Sequence, residues 1–496
     1  HVLVRRLHDS CAGLFNPDWR YFRIYPCPER LSSQPGGCIM RLIPCALFCL
    51  VIAGCATQPS LTIPDTGLIT YQAIASDFRI DREWWKAYGD KNLDRIVELA
   101  IANNTDLKKS AITVNKALYE ANLLGQELVP EFSGSGGAST TTNTKAGETT
   151  HNYTAELGVS YELDLWRKLS SAASAQEWEY KATREDLETV RLALINNVVD
   201  SYFHLVYLNQ AIRVTEQNIR FYTQLLQIIN NKYTTGKVDA LEPLTAEKSL
   251  LSSQNSLMTL ETTRKTVEQT LRNLLNLKPE DKLDIPLEDI LSIPLTNVDL
   301  DIPVAALGLR PDVKAAEYRI QSAFLDWESV KASVYPGISI GSTLSVSSDK
   351  SSTLFNVPFL AGAVQINLPF LQWNKLKWNI KISEADFENA KLDLTSAVNT
   401  ALNEVDTYYY SYRKSLSLLD NVNRKYDTDS KISIYNQMRY EAGADELKDW
   451  LDAKCSENQS LLTLLESKYN TINYENAIYK ALGARLTNHS EGNRPQ

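Results

Sequence analysis

Tyr153 to Gly236 read YTAELGVSYELDLWRKLSSAASAQEWEYKATREDLETVRLALINNVVDSYFHLVYLNQAIRVTEQNIRFYTQLLQIINNKYTTG, and the change of rhythm inside this stretch decides the fold. From 153 to 163 the odd positions Tyr153, Ala155, Leu157, Val159, Tyr161 and Leu163 are apolar or small, while Thr154, Glu156, Gly158, Ser160 and Glu162 are not. Period two is a strand with two unlike faces. From Lys168 to Tyr233 there is no proline, and a helix of that length extends about 95 Å at about 1.5 Å per residue, the scale of a coiled coil. Leu205, Leu208, Ile212, Thr215, Ile219, Tyr222, Leu226, Ile229 and Tyr233 step alternately by three and four residues, the a/d spacing of supercoiled helices. Gly236 then marks a turn.

The unit is written twice. At a shift of 206, Asp106 meets Asp312, Pro130 meets Pro336 and Asp200 meets Asp406; at 207, Trp166 meets Trp373, Lys168 meets Lys375, Tyr233 meets Tyr440, and Gly236 meets Gly443. A nearly constant shift over so long a span indicates tandem duplication. The first repeat is read as 55–279, with strands over about 131–142 and 151–163 and long helices over about 168–233 and 239–276. A Pro-bearing linker (Pro286, Pro294, Pro303) occupies 280–304. The second repeat, 305–485, has strands over about 337–347 and 358–369 and long helices over about 375–440 and 446–482, with a weaker seam at Tyr412, Leu419, Val422 and Tyr426. Residues 486–496 read as a flexible tail. The fold class is mainly α, with duplicated long helical hairpins and a small β part.

Ile338, Ile340, Leu344 and Val346 alternate with Ser and Gly, and Leu360, Val364, Ile366 and Leu368 with Ala, Gln and Asn; the strand after Pro130 has Phe132 as its only large apolar residue. Alternation of about ten residues suits a membrane strand with lipid on one face and a polar lumen on the other, and also a soluble sheet half-buried on a core. Four strands cannot close a barrel, and open strand edges are not tolerated in hydrocarbon. A spanning sheet therefore requires chains to pool their strands, eight in a dimer or twelve in a trimer. Tyr161, Trp166 and Trp373, near strand ends, fit an interfacial aromatic belt or ordinary packing.

Further out, composition narrows the class. The formal net charge of −9, with 60 acidic against 51 basic groups, offers no basic stripe for nucleic acid. Six of the seven cysteines fall within the first 55 residues, leaving Cys455 alone in the body, so no disulfide framework holds it. Five scattered His and three Met give no metal-ligand spacing, and no nucleophile elbow or His–Asp relay is present; the chain reads as a non-enzyme without cofactor or metal. Met40-Arg41, the apolar run Leu42 to Ala53 and Gly54-Cys55 form a secretory signal too short to span a membrane. Its end resembles a bacterial lipobox, which implies cleavage after 54 and acylation at Cys55; residues 1–39 read as sequence upstream of a start at Met40.

Trp84-Trp85-Lys-Ala-Tyr-Gly89-Asp90, Ala102-Asn-Asn-Thr-Asp106-Leu107, Leu309-Arg310-Pro311-Asp312-Val313 leading to Tyr335-Pro336, and Tyr440-Glu-Ala-Gly443 with Leu451-Asp452-Ala453 together resemble the outer membrane factor family, the TolC-like channels, in its lipoprotein branch. The resemblance implies a homotrimer with a 12-stranded β-barrel in the outer membrane, an α-barrel through the periplasm, and a belt from the short helices near 84–104 and at the tail. It implies a passive exit duct fed by a periplasmic adaptor protein and an inner-membrane pump of the RND type. Arg310, Pro311, Asp312, Pro130 and Pro336 are then structural motif residues. Gly236, Gly443, Tyr233 and Tyr440 mark the hairpin turns that meet the adaptor. Asp449 and Asp452, three apart on one helical face, become carboxylate rings at the periplasmic mouth. Where channels with paired aspartates carry an Arg after the turn glycine, this chain has Asp445. The competing reading is a lipid-anchored periplasmic coiled-coil spacer without a pore.

Overall fold

In the computed structural model the described residues are 78–283, 289–296, 298 and 304–488; Met40, the apolar run and Cys55 lie outside them. The elements are β1 (Phe78–Asp81), a 3-10 turn (Trp84–Tyr88), α1 (Lys91–Asn103), α2 (Thr105–Gln126), β2 (Glu131–Asn143), β3 (Glu148–Leu163), α3 (Lys168–Thr234), α4 (Leu241–Leu274), α5 (Pro311–Ala332), β4 (Gly337–Ser348), β5 (Pro358–Asn367), α6 (Trp373–Glu441), α7 (Leu447–Leu482) and β6 (Arg485–Asn488). Side-chain caps set several starts. Asp90 accepts from the amides of Asn92 (2.8 Å) and Leu93 (3.3 Å) to begin α1, and Asn104 accepts from Asp106 (3.0 Å) and Leu107 (2.9 Å) to begin α2. Pro311 fills the first turn of α5, where no amide hydrogen is needed.

The sheet is antiparallel in the order β2-β3-β4-β5. Its register separates the two chemistries. Phe132 lies opposite Val159, Leu157 opposite Leu344, Tyr161 opposite Ile340, and Ile340 opposite Val364, so these apolar residues share one face, with Phe359, opposite Ser345, the exception on the other. The rows Ser135–Glu156–Ser345 and Ser133–Gly158–Thr343 lie on the other. Neither β2 nor β5 has a second strand partner among the described residues, and both are exposed along their length. A two-stranded pairing of β1 with β6, too short to carry a period, joins the two ends of the described chain.

Among the helices α3 is central, packing on α2, α4, α5 and α7, while α6 packs on α5 and α7. This corrects the seam. Leu208, Ala211, Thr215, Asn218, Leu225 and Ile229 are the buried row, whereas Ile212, Ile219 and Leu226 are only half-buried and Tyr233 is exposed. Leu205, Leu208, Thr215 and Ile229 are buried as the spacing predicts, and the alternate positions are displaced by one residue to Ala211, Asn218 and Leu225, because α3 has α4 on one side and α7 on another. The linker is likewise no free connector. Ile290, Ile293 and Val298 join the core, and Thr296 receives Glu475 on its amide at 2.8 Å and meets the Tyr479 hydroxyl at 2.5 Å. Glu475 is 0% exposed; burial raises its carboxyl above the usual range while the bonds it accepts from Thr296 and from Tyr412 (3.2 Å) oppose this.

Arg310 locks the second repeat. Only 8% exposed, it reaches Asp312 at 2.6 Å, Glu404 of α6 at 2.8 Å and the carbonyl of Ala481 in α7 at 3.0 Å. Arg310→Ala strands two carboxylates and a buried carbonyl. A loss of about 2–4 kcal/mol is expected, toward the low end because both carboxylates reach water, measured as a lowered unfolding temperature of the detergent-solubilised protein.

Candidate functional site

Two regions carry the shape that could serve transport: the hairpin tips and the open sheet. At the first tip the amide of Gly236 donates to the Tyr233 carbonyl (2.9 Å) and that of Lys237 to Lys232 (2.8 Å); at the second, Gly443 donates to Tyr440 (2.9 Å) and Ala444 to Arg439 (2.8 Å). Both are the paired bonds that close a helix through a left-handed residue, and both glycines have positive φ, +69° and +72°. Tyr233 and Tyr440 thus contribute carbonyls to the turns and leave their rings at the tip, Tyr440 stacked on Trp450 with centroids 5.7 Å apart.

Charge at the tips is matched within the chain. Arg439 grips Asp445 with two bonds of 2.6 and 2.7 Å, so the acid standing where an Arg was expected is neutralised by the helix before it. Lys232 of α3 pairs with Glu446, and Lys448 of α7 pairs with Glu242 of α4 at 3.0 Å. Both pairs cross from one hairpin to the other. Beneath them Leu225, Ile229, Ala246 and Leu451 form a small apolar cluster with Tyr222, Leu226, Val238 and Leu447 packed on it.

The two aspartates differ in what they do. Asp449 is the third residue of α7 and accepts from the Glu446 amide at 3.3 Å, while Glu446 caps in return, a reciprocal capping box. Asp452 has no such duty. It lies within electrostatic reach of buried Cys455 and of Tyr222 on α3, and partial desolvation raises its carboxyl above the usual range; Lys448 opposes this and Asp449 and Glu242 add to it. Sequence reading singled out the acid pair but missed the cap, although Glu-x-x-Asp at a helix start carries that signal.

The strand-to-helix joint was also missed. Asp164 accepts from Leu169 (3.0 Å) and Ser170 (2.9 Å), and Arg167 adopts φ +61° to allow it. Trp166 donates to the Pro336 carbonyl at 2.8 Å and stacks on Tyr335 with centroids 4.9 Å apart. Pro336 therefore starts β4 and anchors the joint, and Pro130 precedes β2 at the equivalent place. Trp84 and Trp85 are buried in the belt, Trp84 donating to Asn476 at 2.9 Å. Among the described residues no group of His, Cys, Asp and Glu is gathered to hold a metal, and no helix is long and apolar enough to cross a membrane.

Comparison with known proteins adds the lineage. The profile of the outer membrane efflux protein family matches residues 96–277 and again 302–484. The chain is 43% identical over 413 residues to toxin and drug export protein A of Aggregatibacter actinomycetemcomitans, covering 83% of this chain and 90% of that protein. It is 25% identical over 456 residues to a probable outer membrane lipoprotein, SilC, of Salmonella typhimurium, covering 87% and 96%. The crystal structure of the CmeC outer membrane channel of Campylobacter jejuni superposes with a TM-score of 0.74 at 23% identity, over 88% of this chain and 97% of that one.

The tip geometry ranks its own contacts. Leu451→Ala, in the buried cluster, is expected to cost about 2–4 kcal/mol, whereas a double-mutant cycle on the half-buried, solvent-reached pair Glu242 and Lys448 gives a coupling of about 0.2–1 kcal/mol; hydrogen exchange of the amides over 444–456 reads both.

Proposed function

The chain belongs to the outer membrane efflux protein family: it is an outer-membrane efflux channel, and we propose that three copies of it make one duct. The supporting observation is the open sheet. Four strands with one apolar face end in two unpaired edges, β2 and β5, and in lipid every backbone amide and carbonyl needs a partner. Edge joined to edge, three chains supply twelve strands, apolar outward and Ser, Thr and Gly inward. The helices offer matching seams on the same two sides. Exposed Ile112, Tyr119 and Leu123 of α2 and Leu244, Leu251 and Met258 of α4 flank β2, and exposed Trp378, Ile382, Leu418, Ile432 and Tyr435 of α6 flank β5. Residues at intervals of seven on α4 are what a neighbouring helix would take in its grooves.

In this reading the duct is passive. Substrate enters at the hairpin tips from a periplasmic adaptor and an inner-membrane pump of the RND type, with Gly236, Gly443, Tyr233 and Tyr440 forming the adaptor contact. Cys55, acylated, holds the amino terminus in the outer-membrane lipid. Asp449 and Asp452, in three copies, make a carboxylate constriction at the periplasmic mouth that favours cations, and the crossed pairs Lys232–Glu446 and Lys448–Glu242 hold it narrow. A lipid-anchored spacer without a pore leaves two bare strand edges and two exposed apolar helix seams without a purpose.

Purified in detergent, the full chain should run as a trimer that conducts ions in planar bilayers; a monodisperse monomer without conductance would overturn the proposal. Because Asp452 binds its proton at higher pH than an ordinary aspartate, cation selectivity should begin to fall at milder acidity than a free carboxylate would allow. Asp452→Asn should lower selectivity at neutral pH and flatten that pH dependence, read from reversal potentials in a salt gradient. Asp449→Asn, which keeps a capping oxygen, should lower selectivity as well but leave that pH dependence in place.

A further inference from the structure

The two repeats are related by shifts that hold in the sheet as well as in the sequence. In the first repeat Glu131 lies opposite Ser160; in the second Gly337 lies opposite Asn367. Moving β2 by 206 and β3 by 207 converts one pairing into the other, and these are the shifts that relate Pro130 to Pro336 and Trp166 to Trp373. The sheet therefore contains one complete boundary between repeats, β3 against β4, and one that is open, β5 facing the β2 of another copy.

We infer that the open boundary repeats the closed one residue for residue, which fixes how a second copy of this chain docks. This rests on the trimeric channel reading and deepens it. Leu157 pairs with Leu344 and Glu156 with Ser345 across the closed boundary. Applying the same shifts places Val364 opposite Ala138 of the next copy and Ala363 opposite its Ser139. Slippage by one residue is excluded because it would turn the apolar face inward; slippage by two is not, so the shift is what selects the register.

Side chains at the strand ends support the same docking. Trp166 is held by the Pro336 carbonyl and by Tyr335, while its counterpart Trp373 is 51% exposed, and Val129, the counterpart of Tyr335, is 48% exposed. Docked, Trp373 lies over Val129 of the next copy with its ring N–H at the Pro130 carbonyl. The charges complement too. Lys168 pairs with Glu162 at 3.0 Å, and Glu162 Oε1 stands 3.5 Å from where Gly337 would carry a Cβ. At the open boundary Lys375 replaces Lys168, Pro369 replaces Glu162 and Glu131 replaces Gly337. The acid has moved to the opposite strand, so Lys375 meets Glu131 of the next copy; among the described residues neither has an ion-pair partner within its own chain.

Disulfide trapping tests the register in the assembled protein, in a Cys455→Ser background. Opposed residues in antiparallel strands have Cα atoms about 4.5–5.5 Å apart, alternating between close and wide pairs, whereas slippage by two residues puts them roughly 8 Å apart, beyond a disulfide's reach. Val364→Cys with Ala138→Cys, and Ala363→Cys with Ser139→Cys, are expected to give covalent dimers and trimers on mild oxidation, at least one pair in high yield. Val364→Cys with Gly136→Cys or with Thr140→Cys should give at least several-fold less. Efficient crosslinking at either slipped pair, with none at the two matched ones, overturns the register while leaving the trimer standing. No crosslink at any pair, with a monomeric protein in detergent, overturns the channel reading as well. Independently, Glu131→Lys should lower the temperature at which the trimer dissociates, and adding Lys375→Glu should recover it; failure to recover counts against the docking.

Discussion

An unpaired backbone group in hydrocarbon governs this structure. Each amide or carbonyl left bare in lipid costs several kcal/mol, and β2 and β5 each expose a full edge of them. No rearrangement within four strands removes that cost, because four strands are too few to curl shut. Everything else in the architecture follows from deferring the cost to assembly: an apolar sheet face with no core beneath it, apolar seams on α2, α4 and α6 with nothing against them, and long helices that reach far beyond what one chain's core can cover.

The tips obey a different rule. They lie in water, where ion pairs contribute little, and the crossed Lys–Glu pairs sit over a cluster of only four buried residues. Higher up, by contrast, α7 is buried along most of its length and is keyed by specific polar contacts, Asn458 to Asn218 at 2.8 Å and Asn476 to the Asn196 carbonyl at 3.0 Å. Buried polar bonds of this kind fix register, since misalignment leaves both partners unsatisfied. Stability thus grades from a weakly held tip to a firmly keyed upper part of the helices.

How much of this was legible in the sequence depended on periodicity. The sheet and the hairpins announced themselves because lipid and lumen, or seam and solvent, impose contrast at two or at three and a half residues. Even β2, with Phe132 as its only large apolar residue, follows from the repeat, because Pro130 matches Pro336. Half of the α3 seam, Leu205, Leu208, Thr215 and Ile229, is buried as read, and the other half is displaced by one residue because a helix with several neighbours has no single buried row. The β1–β6 pairing was invisible at four residues a strand, and Glu475 gave no signal, since an acid in a long helix looks solvated until the linker is seen to cover it. At the candidate mouth the acid pair could be picked out, but a sequence cannot divide its two members into one that caps a helix and one that is free to act.

That division matters because duplication makes the halves equivalent by default, and departures from equivalence are where something has been added. The two turns share glycine, tyrosine and hydrogen-bond pattern, yet the first continues Lys237-Val238-Asp239 and the second Ala444-Asp445-Glu446, followed by Asp449 and Asp452. Arg439 absorbs one of these acids, Lys232 another, and helix capping a third. Asp452 alone is left without a bonded partner for its carboxylate among the described residues, raised in pKa by its surroundings rather than lowered by a cation. At the shift of 207, Asp239 and Glu242 already answer Glu446 and Asp449, so the acids gained by the second turn are Asp445, in place of Val238, and Asp452, in place of Thr245; Arg439 matches the first of these, and among the described residues nothing bonds the carboxylate of the second.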